Sequence, residues 1–385
     1  MVSVRPTVVV LAPDSFKGSA GAAEVCAALA RGLRRAIADL EVRACPMADG
    51  GEGTLLAVLS QGGALHETLV TGASGQRRPA RYATLERPDG VAAVLESAEV
   101  VGITDPVAMA VSVSERSTQG VGELLVALLE RGLRHFLIGL GGTSTNDGGA
   151  GLLSALGVRF LDAAGQRVTP SPAGLLALQS VDASALDPRL AESTLTILSD
   201  VENPLCGAEG ATAVFGAQKG VSAAEVRGVE ACLERYAELV EAAFGRRAAE
   251  SSAAGAAGGL GFALQLLGGV VRSGAEVIAD LVGLDRALVG AHWAITGEGR
   301  SDAQTLLGKA PSVVAKRARA AGVPVTLLSG AVDSSALPGL NRVFAGCFGL
   351  PSGPMSLAAA IERTDSLLAE RAEELGLLWQ AARAT

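Results

Sequence analysis

Apolar runs alternate with amphipathic segments at the start of the chain. Residues 7–12 form a β-branched apolar run, which is typical of a strand buried on both faces. Apolar residues then recur at helical spacing, which predicts an amphipathic helix with Ser19 as its N-cap. The positions that carry this spacing are Val25, Leu29, Leu33 and Ile37.

The same alternation of strand and helix continues along both outer segments. Further strands are predicted over residues 41–45, 292–296, 323–328 and 342–348. Helices are predicted over residues 55–59 (capped by Thr54), 311–320 and 356 to about 382. This order favours a parallel, doubly wound sheet, in which ligands bind beyond the carboxyl ends of the strands.

The middle of the chain has a different pattern, in which glycine-rich loops and alanine-rich helices separate the predicted strands. These strands are predicted over residues 91–95, 136–140 and 195–198. We therefore expect one α/β domain built from residues 1–65 and 286–385, with a second α/β domain of residues 66–285 inserted into it. An expected hinge lies near each junction.

Composition excludes several classes of protein. The 385 residues are 49% hydrophobic with a net charge of −8 and no basic run, so nucleic acid is not an expected partner. Five cysteines without a CxxC pair fit reduced thiols in the cytoplasm, and three histidines without HExxH disfavour a zinc site. The charge-free residues 253–271 contain six glycines, so we expect a buried helical region there and no membrane span.

The commonest nucleotide-binding signatures are missing. Gly308-Lys309 is followed by Ala310, and Ala303 occupies the place of the first P-loop glycine. There is no GxGxxG motif after a strand, and no HRD or DFG motif. A dinucleotide-dependent dehydrogenase is therefore disfavoured.

Loops that combine glycine with carboxylates follow several predicted strands instead. Asp14, Ser15 and Lys17 offer a carboxylate, a hydroxyl and a cation where a helix begins, a setting that favours an anion. Asp49 and Glu52 stand among three glycines and can hold Mg²⁺ or position a hydroxyl. An ordinary capped turn remains the alternative for each loop.

The loop of residues 139–151 is the most informative segment, because six glycines, three hydroxyls and an Asn-Asp pair suit a backbone nest for phosphates. Asp200 and Asn203, after another strand, could serve as a base and an orienting amide, although a helix start explains them equally well. Glu298, Arg300 and Lys309 follow a buried strand in a crowded polar segment that packing alone does not explain.

Together these loops resemble the bacterial type-I glycerate kinase family. The resemblance rests on residues 12–19, 46–54, 139–151, 199–201 with 203–205, 255–261 and 296–309, which run in the family's order over nearly the whole chain. Ala217 and Ser301 depart from the family pattern, as does the run Thr143-Ser144-Thr145, but none of these departures removes a charged group.

The resemblance implies ATP and Mg²⁺ as cofactors and D-glycerate as substrate. It implies a Rossmann-like parallel-sheet domain built from both chain ends and an inserted α/β domain, with the active site in the cleft between them. It also implies 2-phosphoglycerate as the product, with 3-phosphoglycerate as the alternative. A cytoplasmic enzyme is expected, and a homodimer is left open.

We assign roles to individual residues on this basis. The phosphates are assigned to Lys17 and to the loop residues Gly141, Gly142, Thr143, Ser144, Asn146, Asp147 and Gly148. Glycerate is assigned to Asp14, Ser15, Glu298, Arg300 and Lys309. Mg²⁺ or the substrate hydroxyl is assigned to Asp49, Glu52 and Glu298. Asp200 is the predicted base, and Lys17 and Asp49 are its predicted catalytic partners. Two rivals remain: a kinase for another small hydroxy acid, and a non-catalytic regulator that binds a sugar acid.

Overall fold

The structure is a computed structural model that describes residues 6–87 and 90–383. The chain forms two compact units, and each has its own sheet and core. Unit 1 comprises Met1–Asp49, Leu56–Gln61 and Ala275–Thr385, and unit 2 comprises Gly50–Leu55 and Gly62–Gly274.

The strands and helices of both units are numbered together along the chain. The strands are β1 (Thr7–Leu11), β2 (Leu40–Ala44), β3 (Ala64–Thr71), β4 (Arg77–Arg87), β5 (Gly90–Glu96), β6 (His135–Gly139), β7 (Arg159–Leu161), β8 (Ser180–Asp182), β9 (Thr194–Leu198), β10 (Val270–Arg272), β11 (Trp293–Thr296), β12 (Arg300–Ser301), β13 (Val325–Ser329), β14 (Ala331–Val332) and β15 (Gly346–Gly349). The helices are α1 (Ala22–Ala36), α2 (Thr54–Leu59), α3 (Ser97–Val101), α4 (Pro106–Ala110), α5 (Gln119–Glu130), α6 (Ala150–Ala155), α7 (Pro172–Leu175), α8 (Ala211–Phe215), α9 (Val226–Phe244), α10 (Leu260–Leu266), α11 (Gly274–Leu281), α12 (Leu284–Leu288), α13 (Ala310–Ala320), α14 (Leu337–Leu340), α15 (Leu357–Glu362) and α16 (Thr364–Arg383).

Unit 1 is built on an all-parallel five-stranded sheet in the order β15-β13-β11-β1-β2. Successive residues of β1 point to opposite faces: Val10 packs in the core on one side, and Val9 and Leu11 pack in the core on the other. The strand is buried on both faces because helices cover both sides of the sheet. The predicted α/β class and parallel sheet are confirmed.

Helices α1 and α16 cover one face of this sheet and touch closely. A side chain at Gly32 would place its Cβ 2.0 Å from the carbonyl oxygen of Ala369, so only glycine permits this approach. The predicted N-cap at Ser19 is wrong, because α1 begins after Gly21, whose N–H donates to Glu24 (2.8 Å). Ser19 lies instead in a tight turn, where its hydroxyl donates to the carbonyl of Phe16.

Two element boundaries near the C-terminus also differ from the sequence prediction. The single helix predicted from Ser356 is divided into α15 and α16, with Ser356 capping the first (3.2 Å to the N–H of Ala359). The strand predicted over residues 342–348 begins only at Gly346, because residues 341–343 form a turn and residues 344–345 form a bend.

Unit 2 contains a mixed six-stranded sheet in the order β10-β9-β6-β5-β4-β3. Strands β5, β6, β9 and β10 run parallel, whereas β3, β4 and β5 form an antiparallel meander. The three strands predicted for the middle segment correspond to β5, β6 and β9, and β3 and β4 were not predicted.

The charge-free segment of residues 253–271 lies largely in the core of unit 2. It holds a short 3-10 turn (Ala256–Gly258), helix α10 and the start of β10. Across the part of the chain that the structure describes, no helix is both long and apolar enough to span a membrane.

Candidate active site

Polar loops follow neighbouring strands of unit 1 and are held together by backbone hydrogen bonds. The N–H of Asp14, after β1, donates to the carbonyl of Gly297, after β11 (2.8 Å). The N–H of Gly330, after β13, donates to the carbonyl of Glu298 (3.1 Å). The parallel sheet thus brings three separate segments of the chain to one edge.

These loops surround one cavity of about 520 Å³, which lies entirely within unit 1. The structure brings together here seven of the side chains singled out from the sequence. They are Asp14, Ser15, Lys17, Asp49, Glu298, Arg300 and Lys309.

Asp14 is a buried acid of the cavity with a raised pKa. Its side chain is buried, and its Oδ1 accepts a hydrogen bond from the N–H of Ser15 (2.6 Å). Burial and the negative charge of Asp49 raise the pKa of Asp14 to about 7, although Lys17 opposes the shift. A carboxyl group with this pKa can exchange a proton near neutral pH.

Glu298 is held in place by hydroxyl groups. Its Oε1 accepts hydrogen bonds from Ser301 (3.0 Å) and Thr305 (2.6 Å), and Ser301 also contacts the hydroxyl of Ser329 (2.8 Å). Its Oε2 lies 3.7 Å from the ammonium nitrogen of Lys309. The sequence assigned no role to these three hydroxyl residues: Ser301 and Thr305 follow Glu298 closely in the chain, whereas Ser329 comes from another strand.

The cations of the cavity differ in exposure. Lys17 is exposed, and Arg300 is 71% exposed with its guanidinium 3.7 Å from Asp333. Lys309 is only 32% exposed, so its charge is screened less by water. The hydroxyl oxygen of Ser15 is buried and has no hydrogen-bond partner among the described residues.

One wall of the cavity is apolar. It is formed by side chains from the end of β15 and from α15 and α16, namely Leu350, Leu357, Ala360, Ile361 and Leu367. The cavity therefore combines a charged side at the strand ends with a hydrophobic side at the C-terminal helices.

The glycine-rich loop of unit 2 was predicted to bind phosphates through several residues. Gly141 and Gly142 are exposed, and Gly142 has a positive φ of 71°. The following residues, Thr143, Ser144, Asn146, Asp147 and Gly148, are all buried. Of the residues predicted to bind phosphates in this loop, only Gly141 and Gly142 are exposed.

Asp147 points into the interior of unit 2. Its carboxylate accepts hydrogen bonds from the N–H and hydroxyl of Thr118 (2.7 and 2.8 Å) and from the N–H groups of Gly149 and Gly151 (both 3.1 Å). Burial raises its pKa, and the hydrogen bonds from Thr118 oppose this shift. Asp147 therefore organises the loop from inside.

The remaining predicted acids, Glu52 and Asp200, belong to unit 2 and are exposed. Asp200 lies just beyond β9, and the N–H of Leu140, beyond β6, donates to the carbonyl of Leu198 (3.3 Å). Gly51 lies close to Gly141, because a Cβ added to Gly141 would lie 2.7 Å from the Cα of Gly51. Glu52, Gly141 and Asp200 thus follow backbone segments that meet at the carboxyl edge of this sheet.

Sequence reasoning also missed Glu96, which is buried at the end of β5. Its Oε1 accepts a hydrogen bond from the N–H of Leu55 (2.7 Å). Burial raises the pKa of Glu96 to about 7, and that hydrogen bond opposes the shift. Nothing in the local sequence distinguishes this acid from an exposed one.

Carboxylates suited to a cation are present, but they are not gathered into a protein-only metal site. Within residues 6–87 and 90–383, no three or more His, Cys, Asp or Glu side chains are grouped as metal ligands. Mg²⁺ commonly takes only one or two carboxylates and completes its shell with phosphate oxygens and water, so its donor chemistry is still available.

Comparison with known proteins identifies similar chains. The model of the glycerate kinase family matches residues 9–380. A glycerate kinase from Bacillus subtilis is 36% identical over 374 residues, covering 95% of this chain and 96% of the relative. A glycerate 2-kinase from Escherichia coli is 37% identical over 326 residues, covering 84% and 85%.

A solved crystal structure is also similar. It comes from Salmonella typhimurium LT2 and is named as a glycerate kinase 2. The two chains share 34% identity with a TM-score of 0.85, over 99% of this chain and 100% of the other.

Proposed function

The chain belongs to the glycerate kinase family, and we propose that it transfers the γ-phosphoryl group of ATP to D-glycerate, forming 2-phosphoglycerate and ADP. The relative named glycerate 2-kinase supports phosphorylation at the 2-position. Phosphorylation at the 3-position is the alternative product.

The observation that carries this proposal is the cavity of unit 1, where seven side chains chosen from the sequence lie together. We assign the glycerate carboxylate to Lys309 and Arg300, because an anion is held best by charge-assisted hydrogen bonds. Asp14, Glu298 and the unpartnered hydroxyl of Ser15 can receive or donate hydrogen bonds at the substrate hydroxyls.

We assign the phosphates to Lys17 and to the loop of residues 141–148. Support comes from the exposed backbone of Gly141 and Gly142, since glycine N–H groups can approach an anion closely. Phosphoryl transfer needs such positioning and charge neutralisation more than covalent chemistry.

We assign Mg²⁺ to Asp49, Glu52 and Glu298. Asp49 suits a cation, because its charge already raises the pKa of Asp14 and a divalent ion would offset that repulsion. Glu298 has one oxygen engaged by two hydroxyls, and its other oxygen, Oε2, lies 3.7 Å from the ammonium nitrogen of Lys309, so a metal ion would share Oε2 with that lysine. When bound, the ion would neutralise negative charge on the phosphates.

We propose that Asp200 is the base that accepts the proton of the attacking hydroxyl. Its exposure and its position after β9, beside the strand that leads into the phosphate loop, support this role. Cytoplasmic location is likewise proposed, on the ground that the five cysteines are free thiols.

The test is to incubate the purified protein with ATP, Mg²⁺ and D-glycerate and to follow the reaction by phosphorus NMR. The expected result is ADP and one new phosphomonoester signal that matches 2-phosphoglycerate. Lactate and glycerol should be phosphorylated far more slowly. Binding of glycerate without turnover would instead support a regulator, and faster turnover of another hydroxy acid would reassign the substrate.

A further inference from the structure

Lys219 lies in the interior of unit 2, at the end of a short 3-10 turn (Ala217–Lys219) that is flanked by Gly216 and Gly220. Its side chain is 2% exposed, and its ammonium group donates to the carbonyl of Thr145 (2.7 Å). A Cβ on Gly258 would lie 2.1 Å from that carbonyl oxygen and 2.9 Å from the ammonium nitrogen. The segment containing Gly258 therefore closes over Lys219 and the loop.

Arg116 holds the same loop from a different segment. Its side chain is 2% exposed, and Nη1 donates both to the carbonyl of Ser144 (2.9 Å) and to the carbonyl of Lys219 (2.8 Å). Its Nε and Nη2 donate to the carbonyl of Val111 (3.0 and 2.7 Å). One guanidinium thus fixes three segments of backbone.

Three charged groups meet in this buried region: Arg116, Lys219 and the inward-facing Asp147. Burial lowers the pKa of Lys219 to about 7; the nearby negative charge of Asp147 opposes this shift, and the positive charge of Arg116 adds to it. Burying charged groups is costly, and hydrophobic residues of similar size would often stabilise a fold at least as much as buried charged groups do. Because two cations donate to the consecutive carbonyls of Ser144 and Thr145, we take their role to be fixing the backbone conformation of this loop.

We infer that Lys219 and Arg116 are positioning residues, which hold residues 143–148 from inside so that Gly141 and Gly142 can receive the phosphates of the nucleotide. The inference rests on the proposed function, because it takes that loop as the phosphate site. Both side chains are buried, and each acts through one backbone carbonyl of the loop: Arg116 through that of Ser144 and Lys219 through that of Thr145.

The first test is the kinetics of Lys219→Met and Arg116→Met, with Arg116→Lys as the conservative variant. We expect the KM for ATP to rise roughly tenfold or more in both Met variants, with the KM for D-glycerate little changed and partial recovery in Arg116→Lys. The matched control is Arg134→Met. Arg134 also donates to two backbone carbonyls, but it lies next to the first residue of β6, away from the loop.

Gly142→Val separates the two proposals, because a β-branched side chain is strained at the positive φ of Gly142. If Gly142→Val raises the KM for ATP and Lys219→Met does not, the positioning role is overturned and the phosphate site stands. If Gly142→Val leaves the KM for ATP unchanged, the phosphate site itself fails.

Amine labelling of the native protein tests the arrangement without a variant. The chain has four lysines, Lys17, Lys219, Lys309 and Lys316. We expect Lys17 and Lys316 to react with an amine-specific reagent and Lys219 to stay unmodified until the protein unfolds. Reaction of Lys219 as fast as that of Lys17 would overturn the inference, even if Lys219→Met failed to fold.

Discussion

The ammonium nitrogen of Lys309 lies 3.7 Å from Oε2 of Glu298, whose other oxygen accepts hydrogen bonds from Ser301 and Thr305. The hydroxyls hold the carboxylate, and the carboxylate in turn keeps the lysine at the cavity. This arrangement places a partly buried cation where the substrate carboxylate is proposed to bind.

Lys309→Met should therefore weaken glycerate binding. Loss of a hydrogen bond from a charged group costs about 1.5–3 kcal/mol, so kcat/KM for D-glycerate should fall roughly 10-fold to 150-fold. Steady-state kinetics with ATP held saturating measure the effect. Lys316→Met is the control, because Lys316 is 75% exposed and pairs with Glu276, away from the cavity residues; equal losses in both variants would contradict the assignment.

Asp200→Asn should abolish most turnover while the fold stays intact. A positioned general base contributes about 10²-fold to 10⁴-fold, and the amide cannot accept the proton. The measurement is kcat at saturating ATP and glycerate, with circular dichroism to verify folding. Glu202→Gln changes an exposed neighbour in the same way and should keep normal activity. Near-normal kcat in Asp200→Asn would refute its role as base.

Glu96 should make stability depend on pH. Its pKa is about 7 in the folded protein and near 4.5 when unfolded, so the folded state binds more protons between these values. The free energy of unfolding should therefore fall as pH rises from about 4.5 to 7 and stay lower above it. Glu96→Gln removes this dependence. The free energy of unfolding of the variant, relative to that of the wild type, should therefore rise by about 1–3 kcal/mol between pH 4.5 and 8. Urea unfolding at several pH values measures the difference, and a constant difference would contradict it.

Alanine substitutions at two glycines should have opposite effects on stability. Gly32→Ala introduces a Cβ 2.0 Å from the carbonyl oxygen of Ala369, and overpacking of this kind costs about 1–3 kcal/mol. Gly228 lies in α9, and no described atom outside its chain neighbours and the backbone of its own helix lies within 4 Å of an added Cβ. Gly228→Ala should therefore stabilise the protein by about 0.5–1 kcal/mol. Thermal and urea unfolding of both variants give the comparison, and destabilisation by Gly228→Ala would contradict it.

Strong local patterns were enough to predict the five strands of the main sheet of unit 1, although the predicted start of β15 was too early. The run of residues 7–12 is apolar at every position from Val8 on, and a strand buried on both faces needs that pattern. Strand β3 was not predicted, because it lies at the edge of its sheet and most of its residues are partly exposed. Its polar residues look like those of a loop, and only pairing with β4 makes it a strand.

The sequence by itself determined the alternation of strands and helices, the polar loops at strand ends and the family. These depend on residue type and short spacing, which the chain displays directly. Only the tertiary structure decided which way each polar side chain points. Asp14 and Asp147 both stand in polar strand-end loops, yet one lines a cavity and the other accepts four hydrogen bonds inside unit 2. The partners that turn Asp147 inward include Thr118, distant in the chain, and long-range contacts of this kind leave no trace in local sequence.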